Sequence, residues 1–404
     1  MPSTPEEKAL ATFSAKFGGE ATSLGRAPGR VELLGNHTDY NGGLVLAAAI
    51  DRSTVVVGRP LAGSLARIAS TNLGELDEFD VDTIQPGQGL DGWGRYVRGV
   101  TWAIREAFGP LASGFEAALA GNVPIGAGLS SSASLQVALA SFLVASGLST
   151  QPGGLDPDLD PRSRMLLAQI LRRSENEFVG VASGLLDQFS ALFGRAGHAF
   201  VLDCRSLDYR LVPLGDPAPA IVVCDSKTSR RLADGMYNRR RAECERVVAH
   251  FQARRPAGSV SQLRDVTLED LAGEWTTLDR VDRLRARHVL TENDRIRQGA
   301  KALSSGDLIA FGALMSASHA SSRDDFENSS PALDALFEAA EESPGFLGGK
   351  LSGAGWAGCT VNLVRSEAAA DFAESVRTGY DRRTGLVPDV HICHAADGAS
   401  GVRL

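Results

Sequence analysis

The sequence predicts a mixed helix-and-strand globular protein of two or three domains, and three observations carry this. The chain has 404 residues, 43% of them hydrophobic and 22% charged, a length that at roughly 100–200 residues per domain gives ample core. Segments with helical spacing of apolar residues alternate with short β-branched runs bounded by Gly and Pro. The 44 glycines cluster in a few loops and do not recur at every third position, which excludes a collagen-like chain.

In chain order, residues 5–18 form an amphipathic helix with Leu10, Phe13 and Phe17 on one face. Strands are expected at Ser53–Gly58 and Ala66–Ser70, separated by Pro60 and Gly63. Helical periodicity returns over Trp93–Phe108 and again from near Ser131 through Leu143. Gly147–Ser163 is Pro-, Gly- and Asp-rich and reads as a surface loop or short linker. A helix over Arg164–Phe178 is expected to bury Leu166, Leu167, Ile170 and Leu171 and to leave Arg172 and Arg173 in water. Ala199–Leu211 reads as strand, turn and strand, and Ala220–Cys224 as a strand that opens a new unit. Arg239 to about Glu342 is rich in helix formers; beyond Gly345 Gly-rich loop and strand alternate again. No repeat is visible, and a soft boundary near residue 210 divides the chain into 1–210 and 211–404.

The net charge of −8, without long basic runs, argues against nucleic acid or anionic lipid as partner. The longest uncharged apolar run, Leu44–Ile50, is far short of the ~18 residues that span a bilayer, and the N-terminus carries no signal-peptide pattern. The five cysteines are scattered, with no Cys-x-x-Cys pair and no histidine at metal-ligand spacing. Reduced thiols in a cytoplasmic protein, working as a monomer, are expected.

Four segments carry chemistry. Ala27-Pro-Gly-Arg30-Val-Glu-Leu-Leu-Gly35-Asn36-His37-Thr38-Asp39-Tyr40-Asn41-Gly42-Gly43 places short donors and acceptors between glycines, just before an apolar strand. Such a loop can wrap a polyhydroxylated ligand, since a carboxylate accepts from two neighbouring hydroxyls; Asn-x-x-Asp by itself also fits a capped turn. Pro124-Ile-Gly126-Ala127-Gly128-Leu129-Ser130-Ser131-Ser132-Ala133-Ser134 runs straight into a helix. Glycines admit an anion close to the backbone, and the helix N-terminus adds unpaired N–H groups and its dipole. No Gly-Lys-Ser/Thr follows, so it is not a Walker loop. Glu175 and Asp187, joined by a glycine-containing turn, fit two carboxylates converging on one metal–phosphate centre, although either alone equally fits a surface acid. Lys350-Leu-Ser-Gly353-Ala-Gly355-Trp-Ala-Gly358-Cys359 is a Gly-rich loop entering the strand Thr360–Val364.

Together these segments resemble galactokinases of the GHMP kinase superfamily: the sugar signature at Arg30–Gly43, the phosphate loop at Pro124–Ser134 and the third motif at Lys350–Cys359. Further matches come in the family's order: Asp187-Gln-Phe189, Leu202–Leu207, Tyr237–Arg240, Leu290–Asn293 and Ser318–Phe326. The resemblance implies an α+β, two-domain GHMP kinase fold with the active site in the cleft between domains. It implies ATP-dependent phosphorylation of the C1 hydroxyl of a sugar, galactose first, with Mg2+ as cofactor and only small molecules as partners. By position, Asp187 matches the catalytic base and Arg30 the arginine that stabilises the transferred phosphoryl group. Ser132 and Glu175 match the Mg2+ ligands, and Gly126, Ala127, Gly128, Leu129, Ser130, Ser131 and Ser132 the ATP-phosphate loop. Asn36, His37, Asp39, Gly184 and Tyr237 match sugar contacts, and Trp93 an aromatic near the nucleotide.

Some residues depart from the family pattern. Asn36 stands where the family has a glutamate that accepts from the sugar's C6 hydroxyl, which points to weaker discrimination at C6. A related kinase for another hexose or a uronic acid is the alternative, with a non-catalytic sugar sensor as a third. Gln136 is often glutamate in the family, and the third motif reads Ser-Gly-Ala-Gly-Trp-Ala-Gly.

Overall fold

The structure, a computed structural model, describes residues 3–87, 92–149, 160–181, 183–228 and 235–404. Its strands, in chain order, are β1 (Ser23–Leu34), β2 (Leu44–Leu61), β3 (Leu65–Ser70), β4 (Glu75–Asp80), β5 (Gly114–Gly121), β6 (His198–Asp203), β7 (Tyr209–Pro213), β8 (Ala220–Asp225), β9 (Phe346–Ser352), β10 (Cys359–Val364), β11 (Asp389–Cys393) and β12 (Ser400–Arg403). Eight of them form one sheet, ordered β12-β1-β2-β5-β3-β4, with β6 bridging β2 and β7. Four form a second, antiparallel sheet ordered β11-β8-β10-β9. The expected division at residue 210/211 falls inside β7, and the chain returns at its end to pair β12 with β1.

The helices are α1 (Pro5–Phe17), α2 (Trp93–Phe108), α3 (Ser131–Ala145), α4 (Pro161–Arg173), α5 (Leu186–Phe193), α6 (Met236–Gln252), α7 (Leu268–Gly273), α8 (Arg280–Ser304), α9 (Leu308–Ser321), α10 (Pro331–Glu341) and α11 (Ala369–Thr384). Helix α1 starts where Thr4 and Glu7 close a capping box, with Pro5 in the first turn. The predicted helix at 93–108 matches α2. The helix expected over Arg164–Phe178 instead ends at Arg173 and widens into a π-helical turn, Ser174–Val179. Leu167, Ile170 and Leu171 are buried as expected, but Leu166 is 47% exposed; it lies outside the apolar stripe that meets the core. Residues 150–159 of the expected loop lie outside the described residues.

Helix α3 is buried nearly all round and lies on β1. Gly25 makes the contact possible, since a β-carbon there would sit 2.2 Å from the Ala138 carbonyl oxygen. This packing brings the α3 N-terminus beside Ala27–Arg30 in the middle of β1, where the first two motifs meet. Among the described residues no helix is long and apolar enough to cross a membrane.

Candidate active site

Strand β1 delivers Arg30 to a cleft of about 720 Å3 lined from both halves of the chain. Its Nε donates to Asp187 Oδ1 at 2.8 Å, its Nη2 lies 2.6 Å from the same oxygen, and Nη1 donates to the Gly128 carbonyl at 2.6 Å. One guanidinium thus ties the carboxylate in the first turn of α5 to the phosphate loop. No described residue donates to Asp187 Oδ2, and the side chain lines the cleft.

The phosphate loop takes left-handed backbone at Gly126 (φ 81°), Gly128 (φ 76°) and Ser130 (φ 57°). Ala127 and Leu129, between them, are buried in the core. The Leu129 carbonyl accepts from the Arg30 N–H, and a β-carbon at Gly29 would come within 2.8 Å of that oxygen. Ser130 Oγ is buried and meets no hydrogen-bond partner among the described residues. Of this loop, Ser132 lines the cleft beside Arg30 and Asp187. Ser134 is structural: its Oγ donates toward the Ala27 carbonyl and accepts from the Thr54 N–H. Trp93 stays outside the cleft, its Nε1 donating to Glu75, while Tyr96 of the same helix lines it.

Glu175 lies in the π-helical turn, a wide turn that often marks functional sites. It is buried, and Oε2 accepts from Ser183 Oγ at 2.8 Å and Gln188 Nε2 at 2.7 Å. Burial, with Asp187 nearby, raises its pKa, and no described lysine or arginine pairs with it. Ser132, Glu175 and Asp187 therefore share one cleft.

The signature loop crowds the other wall. Burial, then Glu32 and Asp187, pushes Asp39 up to about 6. Gly184 packs directly on Asp39, for a β-carbon there would fall 2.6 Å from its Oδ2. Tyr237, at the start of α6, faces the same space, and burial pushes its phenol well up. His37 has φ 61° and both ring nitrogens occupied: Nε2 donates to the Ala354 carbonyl at 3.0 Å and Nδ1 accepts from the Tyr40 hydroxyl at 2.9 Å. Burial lowers its pKa to about 3, so the ring is neutral and braces the loop. Asn36 and His37 both line the cleft; Asn36 Nδ2 donates to the Gly353 carbonyl at 2.7 Å, and its Oδ1 accepts from Asn328 Nδ2 at 2.8 Å.

What holds this loop comes from α8, which includes the Leu290–Asn293 segment. Buried Glu292 accepts from the Gly35 N–H at 2.8 Å, His288 Nε2 donates to the Asn36 carbonyl at 3.0 Å, and Asn293 Oδ1 accepts from the Leu44 N–H at 2.8 Å. The four-residue spacing of His288 and Glu292, which puts both on one helix face, is the available signal. Lys350 is fully buried on β9 and donates to Glu32 Oε1 at 2.7 Å.

Comparison with known proteins agrees with this geometry. Residues 11–60 match the family model of the galactokinase galactose-binding signature. Residues 95–195 match that of the GHMP kinase N-terminal domain and residues 300–382 that of the C-terminal domain. The chain is 44% identical to a galactokinase of Roseiflexus sp. (strain RS-1) over 96% of this chain and 95% of that one. It is 40% identical to the Homo sapiens galactokinase over 97% and 95%. The crystal structure of Lactococcus lactis galactokinase complexed with galactose superimposes with a TM-score of 0.87 at 32% identity, covering 97% of this chain and 98% of that one. Methanococcus jannaschii mevalonate kinase shares the fold at a TM-score of 0.65 and 16% identity, over 94% and 99% of the two chains.

Proposed function

Because this chain belongs to the galactokinase family of the GHMP kinases, we propose that its cleft transfers the γ-phosphoryl group of ATP to the C1 hydroxyl of galactose, with Asp187 and Arg30 at the reacting atoms. The observation that carries the reading is the Arg30 guanidinium, bonded at once to Asp187 and to the phosphate loop. Phosphoryl transfer asks mainly for positioning and charge neutralisation. The α3 N-terminus and the left-handed glycines supply backbone donors for phosphate oxygens. Arg30 adds its charge where the transferred group passes.

Asp187, held through Oδ1, turns Oδ2 to the C1 hydroxyl, orients it and takes its proton as the bond to phosphorus forms. An anomeric hydroxyl is the most acidic of the sugar, so the demand on this carboxylate is modest. Asp39 accepts from sugar hydroxyls, Gly184 leaves the ring room to approach it, and Tyr237 closes that side.

Ser132 and Glu175 fit Mg2+: both offer hard oxygen donors, and Glu175 is a buried carboxylate with no cation beside it among the described residues. When bound, the ion would neutralise phosphate charge. With these two side chains as its protein ligands, the nucleotide's phosphates and water would complete the ion's shell. Five scattered cysteines with no Cys-x-x-Cys pair suit a reducing compartment, and we take the location to be cytoplasmic. A coupled assay of ADP release with ATP and galactose tests the reading; ADP formed no faster than in the sugar-free control overturns it.

A further inference from the structure

Glu32 sits two residues beyond Arg30 on β1, so the two side chains share the face of the strand that lines the cleft. Its Oε1 accepts from Lys350 Nζ at 2.7 Å, while Oε2 accepts nothing from the described residues. The side chain is 10% exposed, and the space it meets is the cleft. A buried ion pair is by itself a poor source of stability, since apolar residues of similar volume do as well or better. A carboxylate kept at this depth with one oxygen open therefore calls for a hydrogen-bond donor that arrives from the cleft. Its neighbours are otherwise engaged: Asn36 by Gly353 and Asn328, His37 by Ala354 and Tyr40.

We propose that Glu32 is a specificity-determining residue that accepts one hydroxyl of the sugar through Oε2, while Lys350 fixes its orientation through Oε1. The inference rests on the galactokinase reading and adds to it a charged acceptor in the sugar site, where Asn36 leaves the family's glutamate missing. A hydroxyl bonded to a carboxylate is discriminated from its absence by roughly ten- to a hundredfold.

The test is a set of kcat/KM values for galactose and its 2-, 3-, 4- and 6-deoxy analogues, with ATP saturating. Wild-type turnover of galactose is read first; its absence overturns the kinase reading and this inference with it. In the wild type one deoxy analogue should carry a large penalty that depends on Glu32. That single penalty should shrink in Glu32→Gln and disappear in the double variant Glu32→Met/Lys350→Met, which leaves no unpaired lysine behind. The penalties at the other carbons and the KM for ATP should hold. If every deoxy penalty in the double variant equals the wild-type one, Glu32 reads no hydroxyl and the inference falls. Full recovery of the galactose KM in the double variant, relative to Glu32→Gln, would also overturn it, because Glu32 would then serve only as the counter-ion of Lys350.

Discussion

Replacing Glu292 by glutamine tests whether α8 is what holds the sugar loop. The carboxylate is buried and accepts from the Gly35 N–H, from Ser318 Oγ at 2.7 Å and from Arg295 Nε at 2.6 Å. Burial pushes its pKa up, but Arg295, then His288, Lys350 and the Gly35 N–H outweigh burial and bring it from about 4.5 down to about 2. Each tenfold change in proton affinity carries about 1.4 kcal/mol, so the folded environment favours the carboxylate by about 3 kcal/mol. A folded-state pKa below the unfolded one gives stability that is complete above about pH 4.5 and is lost as pH falls toward about 2. Glu292→Gln should therefore lower the free energy of urea unfolding by about 3 kcal/mol at pH 7, and the gap should narrow to about 2 kcal/mol at pH 3.5. The same variant should raise the KM for galactose more than that for ATP, because the loop it anchors by backbone atoms is the sugar loop. A loss below about 1 kcal/mol at pH 7, or a gap that does not narrow with acid, would refute the reasoning.

Four further outcomes are expected. Asp187→Asn should lower kcat at least ~10²-fold while ATP still binds, measured by single-turnover kinetics and nucleotide titration; near-wild-type turnover in the folded variant would end its role. Gly184→Ala drives a methyl against Asp39 Oδ2 and should reduce kcat/KM for galactose roughly ten- to a hundredfold, with the KM for ATP as the unaffected control. The KM for galactose should rise as pH drops below about 6, where Asp39 gains its proton; an Asp39→Asn variant with the same pH profile would contradict this assignment. Glu175→Gln should raise the Mg2+ concentration needed for half-maximal rate more than it changes the KM for galactose, and an unchanged Mg2+ titration would remove Glu175 from the metal.

Much of this molecule is local in origin and so was legible in the sequence. Helices at 93–108 and 131–145 follow from apolar spacing, and the phosphate loop follows from glycines placed just ahead of a helix. Arg30, Asp187, Glu175, Ser132, Asp39, Gly184 and Tyr237 were singled out from motifs, and the fold brings all of them to one cleft. A motif records which atoms a ligand needs, and those needs survive in residue type and spacing. Tertiary structure alone decided how those atoms are held. Gly35 and Glu292 are 257 residues apart, Arg30 and Asp187 157 apart, and Glu32 and Lys350 318 apart; no local propensity encodes such pairs. The same holds for His37 and Asn36: both line the cleft, and only the fold decides that their side chains are also bonded to Ala354, Tyr40, Gly353 and Asn328. A polar side chain's availability depends on what folds against it, and buried donors and acceptors are satisfied by whichever partner the packing brings within reach.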